Sequence, residues 1–446
     1  MKNQNIIFDV VIVGSGPAGV SAALPLVKGG LKTAILDGGL DNNRQDKKID
    51  VFKEINFSKT SNAYSLIKKS SYVFNKTYRL LKIKSNVEII QSLAKGGLSE
   101  KWHGIWDYFS SKELTTIGLS PKKIKNEYKK IAKRLNLEFD AKQKNNIYEA
   151  PLFPYSTALA VENLKKYKNL TYIKNQLVVE VKEKKNKVKI FSYSISNSSH
   201  KITSAKYIIL AAGSINTTRI LLKSLRKFDY KASFLTKPHY LIICLQLKKL
   251  LKRNYVSKFN QLVISSKKIK NGLETFFIQL YNLNTDSLFR VFHINHLPKI
   301  PLPFIIADVR FPAFPSPNKF SRLIMKNRKE FLEISFKEAE EEISDHKNKL
   351  EEINKQLHSL GLIPIKIIND YSASHYAGGV PIKSKETGLS VDVNCRLNQS
   401  RRIFVADAST WRCLPSKAPT FTIMANASIV GKNVLKDFKS IYQTRG

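Results

Sequence analysis

The stretch DVVIVGSGPAG, from Asp9 to Gly19, decides the fold. Its first half, up to Val13, is a β-branched run typical of a strand buried in a parallel sheet. Gly14, Gly16 and Gly19 then form a G-x-G-x-x-G motif at the start of a segment with helical composition. The first glycine permits a tight turn, the second lets the backbone approach a pyrophosphate, and the third lets helix and strand pack closely. The stretch therefore predicts the first unit of a dinucleotide-binding fold.

The residues that follow complete this unit. A helix is expected to run to Lys28 and to end at Gly29 and Gly30, and Thr33 to Leu36 reads as the second strand. Asp37 then stands where a carboxylate accepts hydrogen bonds from the adenosine ribose, and its charge disfavours the 2′-phosphate of NADP. The motif alone does not separate FAD from NAD. Its predicted cofactor contacts are Gly14, Ser15, Gly16, Pro17, Ala18, Gly19 and Asp37.

Composition limits the possible classes of protein. The 446 residues suffice for two domains, and 75 Lys and Arg against 35 Asp and Glu give a formal charge of +40. Such a charge attracts nucleic acid, anionic lipid or acidic substrates. The basic residues are dispersed along the chain, which indicates that they cover a solvated surface and argues against nucleic-acid binding. The alternative to a purely solvated surface is peripheral contact with an anionic membrane.

The cysteines and the hydropathy pattern indicate the cellular compartment in which the protein is expected. The chain has three cysteines, Cys244, Cys395 and Cys413. They include no C-x-x-C motif, and their odd number does not suit a set of paired disulfides, so the pattern indicates a reducing compartment and no cysteine-bound metal. The sequence shows no signal peptide and no apolar run of about 18 residues. We therefore expect a cytoplasmic protein, with contact to a membrane only at its periphery. His293 and His296 form an H-x-x-H pair without a nearby third ligand, so no metal site is predicted.

The middle of the chain has a different texture. From about residue 226 to 370, strand-like apolar segments alternate with Lys-rich loops. Residues 297–317 are rich in proline and apolar groups, and a buried wall is favoured over an oligomer contact or a membrane-surface patch. A heptad seam predicts one long helix packed on a sheet, with a dimeric coiled coil as the alternative. The seam comprises Leu332, Phe336, Ala339, Ile343, His346, Leu350, Ile353, Leu357 and Leu360.

Several further segments carry a resemblance to a known family. They are GGLSEKWHG at 96–104, ILAAGSI at 209–215, HYAGG at 375–379, FVADAS at 404–409 and PTFTIMA at 419–425. In order and spacing they resemble the glucose–methanol–choline (GMC) oxidoreductases, which are FAD enzymes that act on alcohols. The resemblance covers roughly residues 6–40, 90–110, 170–225 and 371–436. Residues 226–370, where the family places its substrate domain, show none.

The resemblance implies the architecture and the cofactor. It implies an α/β fold with a Rossmann-like FAD-binding domain, built on a doubly wound parallel sheet, and an α+β substrate domain on an antiparallel sheet. The FAD-binding domain would comprise residues 1–225 and 371–446, and the substrate domain residues 226–370. Some relatives attach FAD through a histidine where this chain has Lys101, so noncovalent FAD is expected. The implied cofactor contacts are Gly96, Gly97, Ser99, Trp102, His103, Val178, Ala212, Gly213, Arg219, Asp407, Ala408, Pro419 and Thr420.

The resemblance also implies a reaction. A neutral histidine can take the hydroxyl proton while a hydride moves from the alcohol carbon to flavin N5, and His375 is the candidate base. The expected substrate is a sugar, a glycan precursor or a similar polyol, and no motif identifies the electron acceptor. The family normally places a second His or Asn where this chain has Ala418. Either Lys417, His103 or Asn426 replaces it, or the protein is a non-redox, mutase-like or inactive flavoprotein.

Overall fold

The computed structural model describes residues 7–40, 81–101, 105–137, 146–149, 155–246, 262–282, 304–327, 329–369, 375–383 and 388–442. The strands in these residues are β1 Ile7–Val13, β2 Thr33–Leu36, β3 Ile83–Ser85, β4 Ile147–Glu149, β5 Leu170–Ile173, β6 Gln176–Glu183, β7 Val188–Ser194, β8 His200–Leu210, β9 Ala232–Ser233, β10 Leu235–Thr236, β11 His239–Gln246, β12 Leu262–Ser265, β13 Ile269–Lys270, β14 Leu273–Glu274, β15 Phe277–Asn282, β16 Phe304–Arg310, β17 Lys319–Lys326, β18 Lys329–Phe336, β19 Leu362–Asn369, β20 Tyr376–Ala377 and β21 Ile403–Val405.

The α-helices in the described residues are α1 Pro17–Lys28, α2 Ser111–Thr116, α3 Pro121–Leu135, α4 Thr157–Leu164, α5 Ser214–Ser224, α6 Glu340–Ser359 and α7 Thr420–Tyr442. Short 3₁₀ turns occupy Gly97–Lys101 and Ala408–Thr410. The expected first strand, glycine turn, helix and second strand are confirmed as β1, α1 and β2. In the described part of the chain, no helix is both long and apolar enough to cross a membrane.

The main sheet joins the two ends of the chain. Its strand order is β5-β2-β1-β8-β7-β6, and β21 lies parallel to β8. β5, β2, β1 and β8 are mutually parallel, whereas β6 and β7 continue the sheet as antiparallel strands. The registers align Val13 with Leu36 and with Leu210, and Leu210 with Val405. Four strands therefore end at one edge, which is where α/β sheets bind ligands.

A second sheet is built mainly from the middle of the chain. Its order is β19-β11-β16-β15-β12-β4, and its strands pair antiparallel. One face packs against α6 through a core that includes Ile242, Val309, Ile353 and Leu357. Side chains alternate along a strand, so the other face carries His239, Asp308, Arg310, Phe277 and Val263. The predicted Rossmann-like domain with a second domain on an antiparallel sheet is confirmed.

A small third sheet has the order β3-β18-β17-β9. Two strands that precede residue 226, β3 and β4, therefore pair with strands of the middle segment. The domain limits drawn at residues 225 and 370 stay a prediction, because the sheets show pairing without fixing where one domain ends.

The heptad seam was wrong in its first third. Leu332 and Phe336 lie in β18, and α6 begins only after Ala339. Leu332, Ile334 and Phe336 are buried on alternate positions, which is the period of a strand that has β17 to pair with. A short apolar run can fit both the two-residue repeat of a strand and the heptad repeat of a helix, and only a known pairing partner decides between them.

The described part of the Pro-rich segment is mostly buried up to Ala313, whereas Pro315 and Pro317 at its end are exposed. β16 is a central strand, and Ile305, Ile306 and Phe311 are buried. These three side chains belong to an interior wall and are closed to lipid. Leu302 and the rest of the segment before β16 lie outside the described residues, as does the His293 and His296 pair.

Candidate active site and cofactor cradle

Gly14 and Gly19 make the turn between β1 and α1 too tight for any side chain. Gly14 has φ of +100°, and a Cβ there would lie 2.4 Å from the carbonyl oxygen of Ala211. A Cβ on Gly19 would lie 1.9 Å from the carbonyl oxygen of Gly14. The helix end at Gly16 has no side-chain cap, so its first N–H groups are available to an anion. This geometry fits a pyrophosphate.

A second glycine loop lies against the first. Gly96 and Gly97 adopt left-handed conformations with φ of +88° and +66°. The Gly96 amide donates to Ser15 Oγ at 2.9 Å, and a Cβ on Gly97 would lie 3.7 Å from the Cα of Gly16. Ser99 Oγ donates to the Gly96 carbonyl at 2.7 Å and so fixes the loop. The two predicted glycine loops therefore form one continuous surface.

Asp37 closes the adenosine end of this surface. Its buried carboxylate accepts from Ser15 Oγ at 2.6 Å, from the Ser15 amide at 3.3 Å and from the Tyr172 hydroxyl at 2.8 Å. Burial raises the pKa of Asp37, and these hydrogen bonds oppose the rise. Ribose hydroxyls would share this carboxylate with Ser15 and Tyr172. Tyr172, on β5, was not among the predicted site residues, because only the parallel pairing of β2 with β5 brings it here.

The turn after β21 meets the start of α5. Asp407 accepts from the Ser409 amide at 3.0 Å and from Thr217 Oγ1 at 2.5 Å, so its carboxylate joins the turn to the helix. Gly213 has φ of +80° and open space where a side chain would stand. Ala408 begins the 3₁₀ turn, and Thr420 begins α7, as predicted. Gly213 is therefore exposed and carries no side chain that would keep a ligand from its backbone, whereas Ala408 is buried beside it.

The remaining predicted contacts lie in different places. Ala212 donates its amide to Thr217 Oγ1 at 3.2 Å, beside the turn just described. Val178 is buried in β6, and Pro419 is buried before α7. Arg219 faces Glu330 of β18, with 3.7 Å between NH2 and Oε1. Trp102 and His103 lie outside the described residues. The roles of all these residues in binding the cofactor stay predictions.

Comparison with known protein families identifies the ligand of the cradle. The model of the FAD binding domain family matches residues 9–43, which contain β1, the glycine turn, α1, β2 and Asp37. The cofactor is FAD. The chain is accordingly a flavin-dependent oxidoreductase. The cradle fits this group, because the glycine turn admits a pyrophosphate and Asp37 stands at its adenosine end. No curated protein sequence matches the chain.

The His375 segment is bonded to the same turn. Gly378 donates its amide to the Ala408 carbonyl at 3.1 Å, and Val380 donates to the Ser409 carbonyl at 3.0 Å. Ser214, the first residue of α5, donates to the Gly378 carbonyl at 2.9 Å. The predicted base and the predicted C-terminal cofactor segment are thus brought together by main-chain hydrogen bonds.

The His375 side chain is held in its neutral form. Its Nδ1 is buried and has no hydrogen-bond partner in the described part of the chain. Burial lowers the pKa of His375 well below 6.5, and the positive charges of Lys237 and Arg310 lower it further. A histidine with a depressed pKa is uncharged at physiological pH, which is the form that can accept a proton.

Lys237, like Tyr172, was not among the residues named from the sequence. β10 and β20 pair Leu235 with Ala377 and Thr236 with Tyr376. The next pair in this register is Lys237 and His375. Lys237 Nζ is buried and donates to the carbonyl oxygens of Ser416 at 3.1 Å and Lys417 at 2.5 Å. No motif surrounds this lysine in the sequence, and only the pairing of two distant strands reveals it.

A polar cluster on the second sheet lies next to this pair. His239 Nε2 lies 2.8 Å from Asp308 Oδ1, and Arg310 Nε donates to the same oxygen at 2.9 Å. Burial raises the pKa of Asp308, but Arg310 and His239 outweigh it and hold that pKa well below its usual range. Asp308 is therefore a carboxylate at physiological pH, and its ion pair with Arg310 fixes both side chains.

Ala418 lies in an apolar cluster. Its side chain is buried with Ile105, Val263 and Phe277. Of the three predicted replacements for the missing polar group, Lys417 bonds to Glu113 at 3.2 Å and Glu274 at 2.5 Å. Asn426 Nδ2 donates to Cys395 Sγ at 3.7 Å, and His103 lies outside the described residues. Lys417 and Asn426 therefore hold other partners.

Proposed function

We propose that this flavoprotein oxidises the CH–OH group of a sugar, a glycan precursor or a similar polyol, as GMC oxidoreductases do, with His375 as the base. The observation that carries the proposal is the unpartnered, buried Nδ1 of His375 on a segment hydrogen-bonded to Ala408 and Ser409. A base in this position can reach a substrate bound beside the cofactor.

The chemistry divides between the protein and the cofactor. FAD, when bound, supplies the acceptor for the hydride that leaves the alcohol carbon. Neutral His375 takes the proton of the hydroxyl group, so that a carbonyl product forms without a charged intermediate on the substrate. Lys237 and Arg310 disfavour the imidazolium that results. His375 therefore releases its proton readily after each turnover.

The start of α7 supports the same reaction. Thr420 opens a helix of 23 residues, and the amino end of a helix carries a partial positive charge. Reduction adds electron density to the flavin ring system. A helix end beside the ring would stabilise that density, and this role of Thr420 and Pro419 belongs to the proposal.

A second candidate is a flavoprotein that does not oxidise alcohols. Ala418 can neither donate nor accept a hydrogen bond, and its neighbours Ile105, Val263 and Phe277 are apolar. A non-redox, mutase-like or inactive protein would retain FAD and the fold without reacting with alcohols.

Anaerobic reduction separates the two candidates. The FAD-loaded protein is mixed with a panel of sugars and polyols without oxygen, and loss of flavin absorbance is followed. With any substrate that bleaches the flavin, His375→Ala should keep its FAD and react on the order of a hundredfold more slowly or worse. His358→Ala, at an exposed position on α6, is the matched control and should react like the wild type. Equal rates in His375→Ala and wild type would contradict the role of His375, and a fully loaded wild type that no alcohol reduces would favour the second candidate.

A further inference from the structure

Lys237 directly follows β10, and His375 directly precedes β20, its antiparallel partner. The pairs Leu235 with Ala377 and Thr236 with Tyr376 fix the register, and extending it by one residue beyond the strand ends brings Lys237 to His375, whose pKa the Lys237 charge lowers. Residues directly opposite in such a pair have Cβ atoms about 4.5–5.5 Å apart and side chains on the same face. A molecule within reach of the His375 ring is therefore also within reach of the Lys237 side chain.

The anchoring of Lys237 leaves one hydrogen-bonding position open. A lysine ammonium has three N–H donors. In the described residues, two of them are used by the carbonyl oxygens of Ser416 and Lys417, which directly precede Ala418. A buried ammonium is costly unless its donors are satisfied. The third N–H group would be satisfied by an oxygen acceptor placed between His375 and residue 418.

We propose that Lys237 is a second catalytic residue, whose ammonium donates a hydrogen bond to the alcohol oxygen from which His375 removes the proton. The inference rests on the proposed function. It gives the second polar contact to the short link between β10 and β11, because the side chain at position 418 is apolar.

The chemical need for this donor follows from the charge that develops during the reaction. As His375 takes the hydroxyl proton, negative charge grows on the alcohol oxygen, and a fixed donor in a buried site stabilises that charge. The hydride leaves the carbon for oxidised FAD, and the electron pair of the O–H bond forms the carbonyl double bond. Lys237 keeps its proton throughout, so protons and electrons balance without a further reactant.

Burial and the neighbouring charges set the pKa of Lys237. Burial lowers the pKa of Lys237 well below 10.5, and Arg310 lowers it further, whereas Asp308, Asp107 and Glu113 raise it. The pKa therefore lies below that of an exposed lysine. A role that requires the ammonium should fade as the pH rises through this lowered pKa.

Acetate tests the hydrogen bond without turnover. One carboxylate oxygen of acetate can stand in for the negatively charged alcohol oxygen. The FAD-loaded full chain is titrated with acetate at constant ionic strength, and the flavin absorption spectrum reports binding. We expect saturable binding by the wild type and a dissociation constant at least about tenfold higher for Lys237→Met.

The control is a second buried lysine. Lys319, on β17, is also buried and pairs with Glu342, away from the face that covers His375. Lys319→Met should bind acetate as the wild type does. With an alcohol that reduces the wild type, Lys237→Met should lower the rate of flavin reduction by about tenfold to a thousandfold at unchanged FAD content.

Two results would overturn the inference. They are the absence of saturable acetate binding by the wild type, and equal acetate affinity in wild type and Lys237→Met when both carry FAD. If Lys237→Met does not retain FAD, the pH dependence of the wild type decides. Its acetate affinity should fall as the pH rises through the pKa of Lys237, which burial holds well below that of an exposed lysine, and a profile that stays flat up to the pH at which exposed lysines titrate refutes the role. A third result would separate the two proposals. If acetate binding depends on Lys237 but no alcohol reduces the flavin, the hydrogen bond from Lys237 stands and the proposed alcohol oxidation is wrong.

Discussion

Replacing Lys417 by methionine tests what fixes the segment that precedes Ala418. Lys417 Nζ lies 3.2 Å from Glu113 and 2.5 Å from Glu274, with only 6% of the Lys417 side chain and 1% of the Glu113 side chain exposed. Asp107 also raises the pKa of Lys417, together with the two glutamates. The substitution removes one buried cation from a group of three buried or nearly buried carboxylates.

The expected cost follows from this burial. Removing one partner of a buried ion pair leaves an uncompensated charge and typically destabilises a protein by about 3–5 kcal/mol. Burial raises the pKa of Asp107 to about 6 and that of Glu274 to about 7, and Lys417 limits both shifts. Part of the cost is therefore relieved by proton uptake. We expect a loss of about 3 kcal/mol in the free energy of unfolding near pH 7.5.

The pH dependence has a definite sign. A carboxyl group whose pKa is raised by folding binds more protons in the folded state, so stability falls as the pH rises through its two pKa values. For Asp107 and Glu274 this window runs from their ordinary values near 4 to about 6 and about 7. Without Lys417 both pKa values rise further. The difference between Lys417→Met and wild type should shrink as the pH is lowered from 7.5 towards 5.

Urea denaturation of the FAD-loaded proteins, followed by flavin and tryptophan fluorescence, measures the effect. The control is Lys268→Met, whose lysine is 72% exposed and pairs with Glu352, and it should lose about 0.5 kcal/mol or less. A loss below about 1 kcal/mol for Lys417→Met, or a loss that grows on acidification, would refute the reasoning. The result matters for mechanism, since a purely structural Lys417 cannot replace the polar group that position 418 lacks.

Three further predictions follow from single features of the chain. Gly19→Ala places a Cβ 1.9 Å from the Gly14 carbonyl oxygen and should abolish FAD retention after gel filtration. Gly30→Ala strains a left-handed backbone with φ of +85° but meets no atom within 4 Å, so it controls for backbone strain and should retain the flavin. Ala418→Asn buries an amide among apolar side chains, which should cost about 1–3 kcal/mol and slow anaerobic flavin reduction, and a faster variant would contradict this expectation. If the charge of +40 serves membrane contact, the protein should float with anionic liposomes and not with neutral ones at low salt, and no flotation with anionic vesicles would exclude this contact.

The N-terminal unit was predictable from sequence because its signals are local. Gly14, Gly16 and Gly19 are required by contacts within one turn, and Asp37 follows directly from the end of β2. Thr420, which opens α7, was predicted by the resemblance to the GMC family and not by a local geometric requirement. For the glycines alone, backbone geometry within a few positions dictates the residue type, so one sequence suffices to locate them.

The rest of the site depends on strand pairing that no local pattern shows. Lys237 is placed by the register of β10 with β20, and Tyr172 by that of β5 with β2. The strand β18 was mistaken for the start of a helix, since Leu332 and Phe336 fit a heptad until β17 supplies a pairing partner. Long-range register is set by the whole buried face of a sheet, and its sequence signal is spread over many residues.

The face of the second sheet explains why alanine suits position 418. β15 and β16 align Phe277 with Arg310, and β16 and β11 align Arg310 with His239. Alternation along the strands places His239, Asp308 and Arg310 on the face near His375, while Phe277 and Val263 of the same face pack against Ala418. Buried Gln279 lies between Asp308 and Val263.

A larger polar side chain at position 418 would have to displace Phe277 or Val263, and overpacking of this kind typically costs about 1–3 kcal/mol. Under the proposed function, the polar contact to a substrate hydroxyl would then come from Lys237. A substrate bound there would present its hydroxyl group to His375 and a carbon face to Phe277. Sugars and polyols whose ring or chain offers such a face are accordingly the first compounds to try in the anaerobic panel.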